Sequence, residues 1–402
     1  MIKHSYTLKN SSVILLGILG AFMGITSLST DIYLPAMPQM EIDLRGDVEL
    51  TITGFLIGFS IAQLIWGPIS DRLGRLLPLT IGIVLFIIGC IGCAMSHNIT
   101  EILFWRMVQA VGACTGPMLS RAMVRDMHNR TKAAEMLSTL MIIMALAPII
   151  GPLLGGQILK ISSWHTIFWL LTAFGVIMPA YIILLPETLP KEKRPNASIS
   201  KAFANYKILL THRRFMMYTL CVTFYYVGIY AFVTGSPHVY ITYFGVKPQN
   251  YGWFFAVNTA GIMALSIINR KLVRKFSLKR LLRTSTTIAM LSGIALIIMV
   301  KMNIGGIMGI AVPIFFFFSM NGIVSASANA AALDDVPEMA GAASALIGSL
   351  QYGSGVLSSV LLAIFNDDTP WPMSWVIGLF GILSALMVIV QPAKIKQKLQ
   401  TR

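Results

Sequence analysis

VILLGILGAFMGITSLSTDIYLPAMP, residues 13–38, is the stretch on which the fold turns. Its first eighteen residues, Val13 to Thr30, carry no charge, and Asp31 then stands four residues before Pro35. A helix rising about 1.5 Å per residue needs ~20 apolar residues to cross a bilayer, and this run supplies them. Lys3 and Lys9 precede it, as in a secretory signal. However, the apolar core exceeds the ~7–15 residues of such a signal and no small-residue cleavage site follows. The run reads as a retained membrane span.

Eleven further runs repeat the pattern: Leu50–Ile69, Leu76–Ser96, Ile99–Ser120, Ala133–Leu159, His165–Pro186, Arg214–Gly235, Tyr251–Asn269, Leu281–Val300, Ile304–Ala330, Ala340–Phe365 and Trp371–Gln391. The 402-residue chain is 56% hydrophobic and 12% charged, with mean hydropathy +0.74, against about 25% charge in a soluble domain. Lipid cannot satisfy bare backbone groups, so spanning segments are helices or closed barrels, and runs this long exclude ~10-residue barrel strands. The prediction is an all-α membrane protein of twelve transmembrane helices in two pseudo-symmetric six-helix halves. The halves are 1–187 and 214–402, joined by a basic linker, 188–213.

The net charge of +15 does not point to nucleic acid. Twelve spans put both termini on one side, and 26 of the 31 basic residues fall there, in the tails, the linker and three loops. Acidic residues gather opposite, at Glu41, Asp43, Asp47, Glu49, Glu101, Asp367 and Asp368. The positive-inside rule therefore predicts cytoplasmic termini. Cys90, Cys93, Cys114 and Cys221 all lie in spans. The C-x-x-C of Cys90 and Cys93 reads as small apolar packing rather than redox chemistry.

Three stretches carry more than hydropathy. GPISDRLGRLLP, residues 67–78, joins spans 2 and 3. Gly67 and Gly74 permit a tight turn there, and Asp71, Arg72 and Arg75 form a charge cluster. RMVQAVGACTGP, residues 106–117, places Arg106 within span 4. An intramembrane arginine is costly unless paired or hydrated, so it marks function by default. Gln109, Ala110 and Ala113 share its helix face. APIIGPLLGGQ, residues 147–157, lies in span 5. Pro148 and Pro152 each remove a backbone donor, while Gly151, Gly155 and Gly156 make a smooth face for close helix approach.

Together these stretches resemble the major facilitator superfamily, in its drug:proton antiporter branch of twelve-helix exporters. GPISDRLGR is similar to the superfamily's loop signature, with Leu76 where a basic residue is usual. RMVQAVGA resembles its span-4 signature, with Ala110 in the glycine position. APIIGPLLGG resembles the span-5 antiporter signature, which uptake members generally lack. The opening stretch, SWHTIFW at span 6 and LPETLP after it, look closest to the bicyclomycin/chloramphenicol-resistance exporters. The resemblance spans essentially the whole chain. It implies that Asp71, Arg72 and Arg75 lock the cytoplasmic side, with Arg125 and Asp126 as partners, and that these contacts break and reform as the halves rock. The acidic loop of Asp334, Asp335 and Glu338 is expected to pair with the basic loop between spans 8 and 9.

Counting from the span centres puts Asp31 ~8 Å and Arg106 ~6 Å outward of the midplane. The resemblance implies that both spans line the central cavity, so Asp31 is expected to bind the coupled proton and Arg106 to tune it. Burial disfavours a charged carboxylate, and a nearby guanidinium favours it. The competing readings are that Asp31 marks an early end of span 1 and that Arg106 snorkels outward. Substrate contact is expected from Ser27 and Leu34, on Asp31's face with Gly24, and from Phe55, Phe59, Gln109, Ala113, Met144, Tyr226, Tyr230, Asn258 and Asn321. Gln351 is a further isolated polar group. An apolar, aromatic, methionine-containing lining suits lipophilic drug-sized compounds.

The leading expectation is a monomeric proton-coupled exporter in a bacterial inner membrane, its partners being the bilayer, protons and drug-like molecules. A proton-coupled uptake symporter is the alternative. No metal-spaced His/Cys/Asp cluster and no P-loop occurs in the sequence, so neither catalysis nor a cofactor is expected.

Overall fold

The computed structural model describes residues 12–194 and 199–389. Lys3, Lys9 and the basic tail from Lys394 onward lie outside the described residues. The first half comprises α1 (Ser12–Asp31), α2 (Met37–Leu44), α3 (Leu50–Leu73), α4 (Leu76–Ala94), α5 (Ile99–Ala113), α6 (Thr115–Met127), α7 (Arg130–Ile158) and α8 (Trp164–Ile182). A short helix, α9 (Ile199–Thr211), follows. The second half comprises α10 (Arg213–Pro237), α11 (Pro248–Leu272), α12 (Leu278–Lys301), α13 (Gly306–Ser319), α14 (Asn321–Asp334), α15 (Ala340–Ile364) and α16 (Trp371–Ile389). Eleven helical stretches are long and apolar enough to cross a membrane, and α5 with α6 makes the twelfth span.

Three spans are not the single helices expected. Span 1 stops being α-helical at Asp31; a single 3-10 turn at Leu34–Ala36, with Pro35 near its start, leads into α2. Span 4 breaks at Cys114 and runs on to Met127 instead of ending at Ser120. Pro117 lacks the N–H that Ala113 O would have accepted. The Thr26 hydroxyl of α1 donates to that oxygen instead, at 2.9 Å. Span 10 breaks at Met320, at the matching place in the second half, with no proline to announce it. Span 7 ends in a π-helical turn, His238–Tyr243, the counterpart of the broken end of span 1. Breaks of this kind are tolerated at membrane depth only where neighbouring helices cover the freed backbone groups.

Aliphatic residues such as Ile61, Ile65, Ile81, Val84 and Ile88 are exposed on the outside, where lipid replaces water. Phe22, Phe55, Phe59, Phe86 and Trp164 fill the interior. The halves meet along two seams. In one, α3 faces α15: the rings of Phe59 and Tyr352 lie 4.0 Å apart, and Ser349 Oγ donates to Ser60 O at 2.8 Å. In the other, α7 meets α11 on the side away from the linker. A Cβ at Gly156 would lie 2.6 Å from Pro248 O, and one at Gly252 would lie 2.7 Å from Leu153 N. On the linker side the halves part around a cavity of 330 Å³.

Candidate functional site

Arg106 is fully buried beside the broken end of span 1. Its Nη1 donates to Ser29 O at 3.0 Å and to Gln109 Oε1 at 2.6 Å, while Nε reaches Thr51 O at 3.4 Å. The guanidinium carbon lies 4.5 Å from the ring centroids of both Tyr33 and Phe55. Carbonyl dipoles and aromatic faces thus take the place of a counter-ion. Nη2 is buried and has no partner among the described residues. The arginine points inward and does not snorkel.

Asp31 is the last residue of α1 and is 6% exposed. Among the described residues it forms no ion pair with Arg106, which contacts α1 two residues earlier. The aspartate turns instead to the glycine face of α7, where a Cβ at Gly151 would lie 3.4 Å from Asp31 Cβ. One turn on, a Cβ at Gly155 would overlap the Ile32 carbonyl oxygen. Asp31 therefore faces the smooth face of span 5, the helix that meets α11 of the second half at Gly156 and Gly252.

An aromatic chain crosses the junction of the two halves. Phe55 and Phe59 are 6.1 Å apart, Phe59 packs on Tyr352, Tyr352 lies 6.3 Å from Tyr230, and Tyr230 lies 6.2 Å from Tyr226. Tyr225 turns away, its hydroxyl donating to Phe317 O at 2.5 Å.

At the linker side Arg75 is the hub. It donates to Asp126 at 2.9 Å, to Asp71 at 2.6 Å and to Ser70 Oγ at 2.9 Å. Above it, the Glu187 carboxylate accepts from the backbone N–H of Arg75 at 2.9 Å and of Leu76 at 3.3 Å, capping α4. Gly74, at φ +93°, makes this possible: a Cβ there would lie 2.5 Å from both Glu187 and Arg194. On the opposite side of the membrane, burial pushes the Glu49 carboxyl up to about 8, aided by Asp47 and Glu41.

The model of the Major Facilitator Superfamily matches residues 15–359. The chain belongs to that superfamily. It is therefore a multi-pass membrane transporter, not an enzyme. It is 37% identical to the uncharacterized MFS-type transporter YdgK of Bacillus subtilis, over 92% of this chain and 93% of that one. It is 30% identical to the bicyclomycin resistance protein homolog of Haemophilus influenzae, over 94% and 96%. It is 26% identical to multidrug resistance protein D of Escherichia coli, over 94% and 95%. In fold it is similar to the partially occluded inward-open xylose transporter XylE of E. coli, with TM-score 0.76, 16% identity and 95% and 98% coverage.

Within this superfamily frame, several expectations need correction. Gly67 is no turn: α3 runs through Gly67 and Pro68 to Leu73, and only Gly74 takes a positive φ. The Arg75 contacts tie the span 2–3 loop to Asp126 at the end of span 4, and all their members precede the linker. Arg72 and Arg125 are exposed and form no ion pair among the described residues. Asp335 pairs with Arg214, at 3.4 Å, and not with the basic loop between spans 8 and 9. Leu34 lies in the 3-10 turn, so helical spacing from Asp31 does not place it.

The remaining positions are scattered. Ala113 O accepts from Thr26, and Gln109 also donates to Cys90 Sγ at 3.0 Å. The Ser27 carbonyl accepts from Thr30 Oγ1 at 2.9 Å. Met144 packs at the edge of the core behind Pro148 and Pro152, and Asn258 is buried in α11. Asn321 opens α14 with its Oδ1 buried and unpartnered among the described residues. Gln351 donates to Asn329 Oδ1 at 3.2 Å. Sequence reasoning missed Tyr33, Tyr352, Glu187 and Arg121. It had counted Arg121 as a loop residue, but Arg121 lies within α6.

The Glu187 cap carries a stability prediction. Burial works against its carboxylate, but the N–H groups of Arg75, Leu189 and Leu76, with Arg194, outweigh burial and hold its pKa below the usual range. Stabilisation from a depressed acid is full above the ordinary carboxylate pKa and is lost as pH falls through the native value. Glu187→Ala is expected to cost about 1–2 kcal/mol at neutral pH. Unfolding profiles of variant and native chain should converge on acidification; profiles that stay parallel would contradict the cap.

Proposed function

We propose that this transporter is a proton-coupled antiporter that exports small lipophilic drug-like compounds by alternating access. The two halves, 1–187 and 214–402, rock about the linker 188–213. The observation that carries the reading is Asp31, a buried carboxylate without an ion-pair partner among the described residues. It lies against the Gly151–Gly155 face of span 5, the helix that meets α11 of the other half at Gly156 and Gly252. Gain or loss of a proton there changes how α1 rests on the helix that joins the halves. Coupling requires only that protonation alter which cavity-facing state is preferred. Relatives named for bicyclomycin and multidrug resistance support export of drug-like molecules. The basic linker side is assigned to the cytoplasm by the charge bias, in a bacterial inner membrane, and the working unit is taken as the monomer.

The mechanism assigns each group a task. Asp31 holds the proton, and Arg106 shapes the field around it. The aromatic chain from Phe55 to Tyr226 supplies an apolar, stackable wall shared by both halves. The α7–α11 contact at Gly156 and Gly252 seals the far side while the linker-side cavity is open. The test uses inside-out vesicles acidified by respiration. Drug added outside should dissipate the pH gradient in vesicles carrying the chain and not in empty ones. Failure of every compound in a panel to do so would count against antiport and favour the non-antiporter readings.

A further inference from the structure

We infer that the linker-side cavity is an anion-accepting subsite, in which Arg121 takes the carboxylate of a transported organic acid or zwitterion. The inference rests on the exporter reading and adds a charge class to its substrate. Arg121 lies in α6, eight residues beyond Ala113 near the middle of span 4. It lies one helical turn inward of Arg125, toward the linker-side end of span 4. Its Nε donates to Pro117 O at 2.8 Å, which fixes the side chain along its own helix. Among the described residues its two Nη groups have no hydrogen-bond or ion-pair partner, and the residue lines the 330 Å³ cavity.

The cavity offers Arg121 no protein counter-ion. Asp71 is the lone carboxylate among the lining residues, and Arg75 holds it at 2.6 Å. Arg125 also lines the cavity, again without an ion-pair partner among the described residues. Arg121 is thus uncompensated in a partly enclosed space, and the exposed Arg125 adds positive field at its edge. A half-buried charge without a partner is costly, and a guanidinium fork matches a carboxylate with two parallel hydrogen bonds. Met118, Leu119 and Leu137 supply apolar wall beside it, so the occupant has an acidic group on an apolar body. The volume lies at the small end of the ~300–1,000 Å³ range of ligand pockets.

Binding to the purified full chain, with no gradient imposed, tests this separately from proton coupling. The probes are dansylglycine, its methyl ester and tetraphenylphosphonium, read by dansyl fluorescence or displacement. The native chain should bind the acid about tenfold or more tighter than the ester, the size of one lost charge-assisted pair. Arg121→Gln should abolish that preference, Arg121→Lys should restore part of it, and tetraphenylphosphonium should bind better to Arg121→Gln than to the native chain. Equal affinity of the native chain for acid and ester would overturn the inference without any variant. So would an acid preference that survives in Arg121→Gln. In nanodiscs, acid binding should persist when phosphatidylglycerol is mixed into phosphatidylcholine. Its loss there would assign the arginine to a lipid headgroup instead.

Discussion

Asp31→Asn is expected to abolish drug-dependent dissipation of a pH gradient, down to the level of vesicles lacking the chain, while exchange of labelled for unlabelled drug continues. Asparagine keeps the size and polarity of the buried group but cannot carry a proton. Downhill exchange needs only that the loaded halves rock, whereas uphill export needs the proton to bias them. Asp31→Glu should fall between the two, because it keeps a titratable carboxyl but moves it by one methylene along the packed α1–α7 contact. A variant Asp31→Asn that still drives export with pH would remove this residue from the coupling step.

Gly155→Ala is the second large effect, and it falls on the fold itself. The end of α1 lies in a groove of α7 floored by Gly151 and Gly155. The methyl group of an alanine at 155 would occupy the position of Ile32 O, a backbone atom that cannot rotate aside. Overpacking commonly costs about 1–3 kcal/mol, and a clash with backbone falls at or above the top of that range. At Gly151 the nearest atoms are 3.2–3.4 Å away, so Gly151→Ala should be much milder. Thermal unfolding in detergent should give the order native, Gly151→Ala, Gly155→Ala, with the last also losing transport. Equal midpoints for the two variants would mean that α1 does not rest on this face.

The twelve spans were legible because an uncharged run of about 20 residues has few other uses in a chain. Arg106 stood out for the same reason, as a lone charge within such a run. The break in span 1 was offered only as a competing reading, and those in spans 4 and 10 were not read at all, since hydropathy averages over the interruption of a hydrogen-bond ladder. Pro117 was a readable signal for one of them, as it frees Ala113 O; Met320 offered none. Arg121 was misread because span 4 was ended at Ser120, seven residues short of Met127, which turned a helix charge facing the cavity into a loop charge. The partners of Arg75 were half legible: Asp71 and Asp126 were named, but not which of Arg72, Arg75 and Arg125 makes the pairs. Glu187 lies 112 residues from Arg75, a separation over which sequence reasoning has no reach.

The two competing readings of Asp31 turn out to be compatible. The helix does end at Asp31, and the residue is nonetheless buried. The interruption begins one turn beyond, where Leu34–Ala36 replaces the regular continuation toward Pro38.

The central claim is that proton and drug compete for states governed by Asp31. Its most direct test is proton release from the purified chain in weakly buffered detergent solution, followed with a pH-sensitive dye as drug is added. The account predicts that drug binding releases protons from the native chain and releases none from Asp31→Asn. Drug binding to the native chain without proton release, or with the same release from Asp31→Asn, would contradict it.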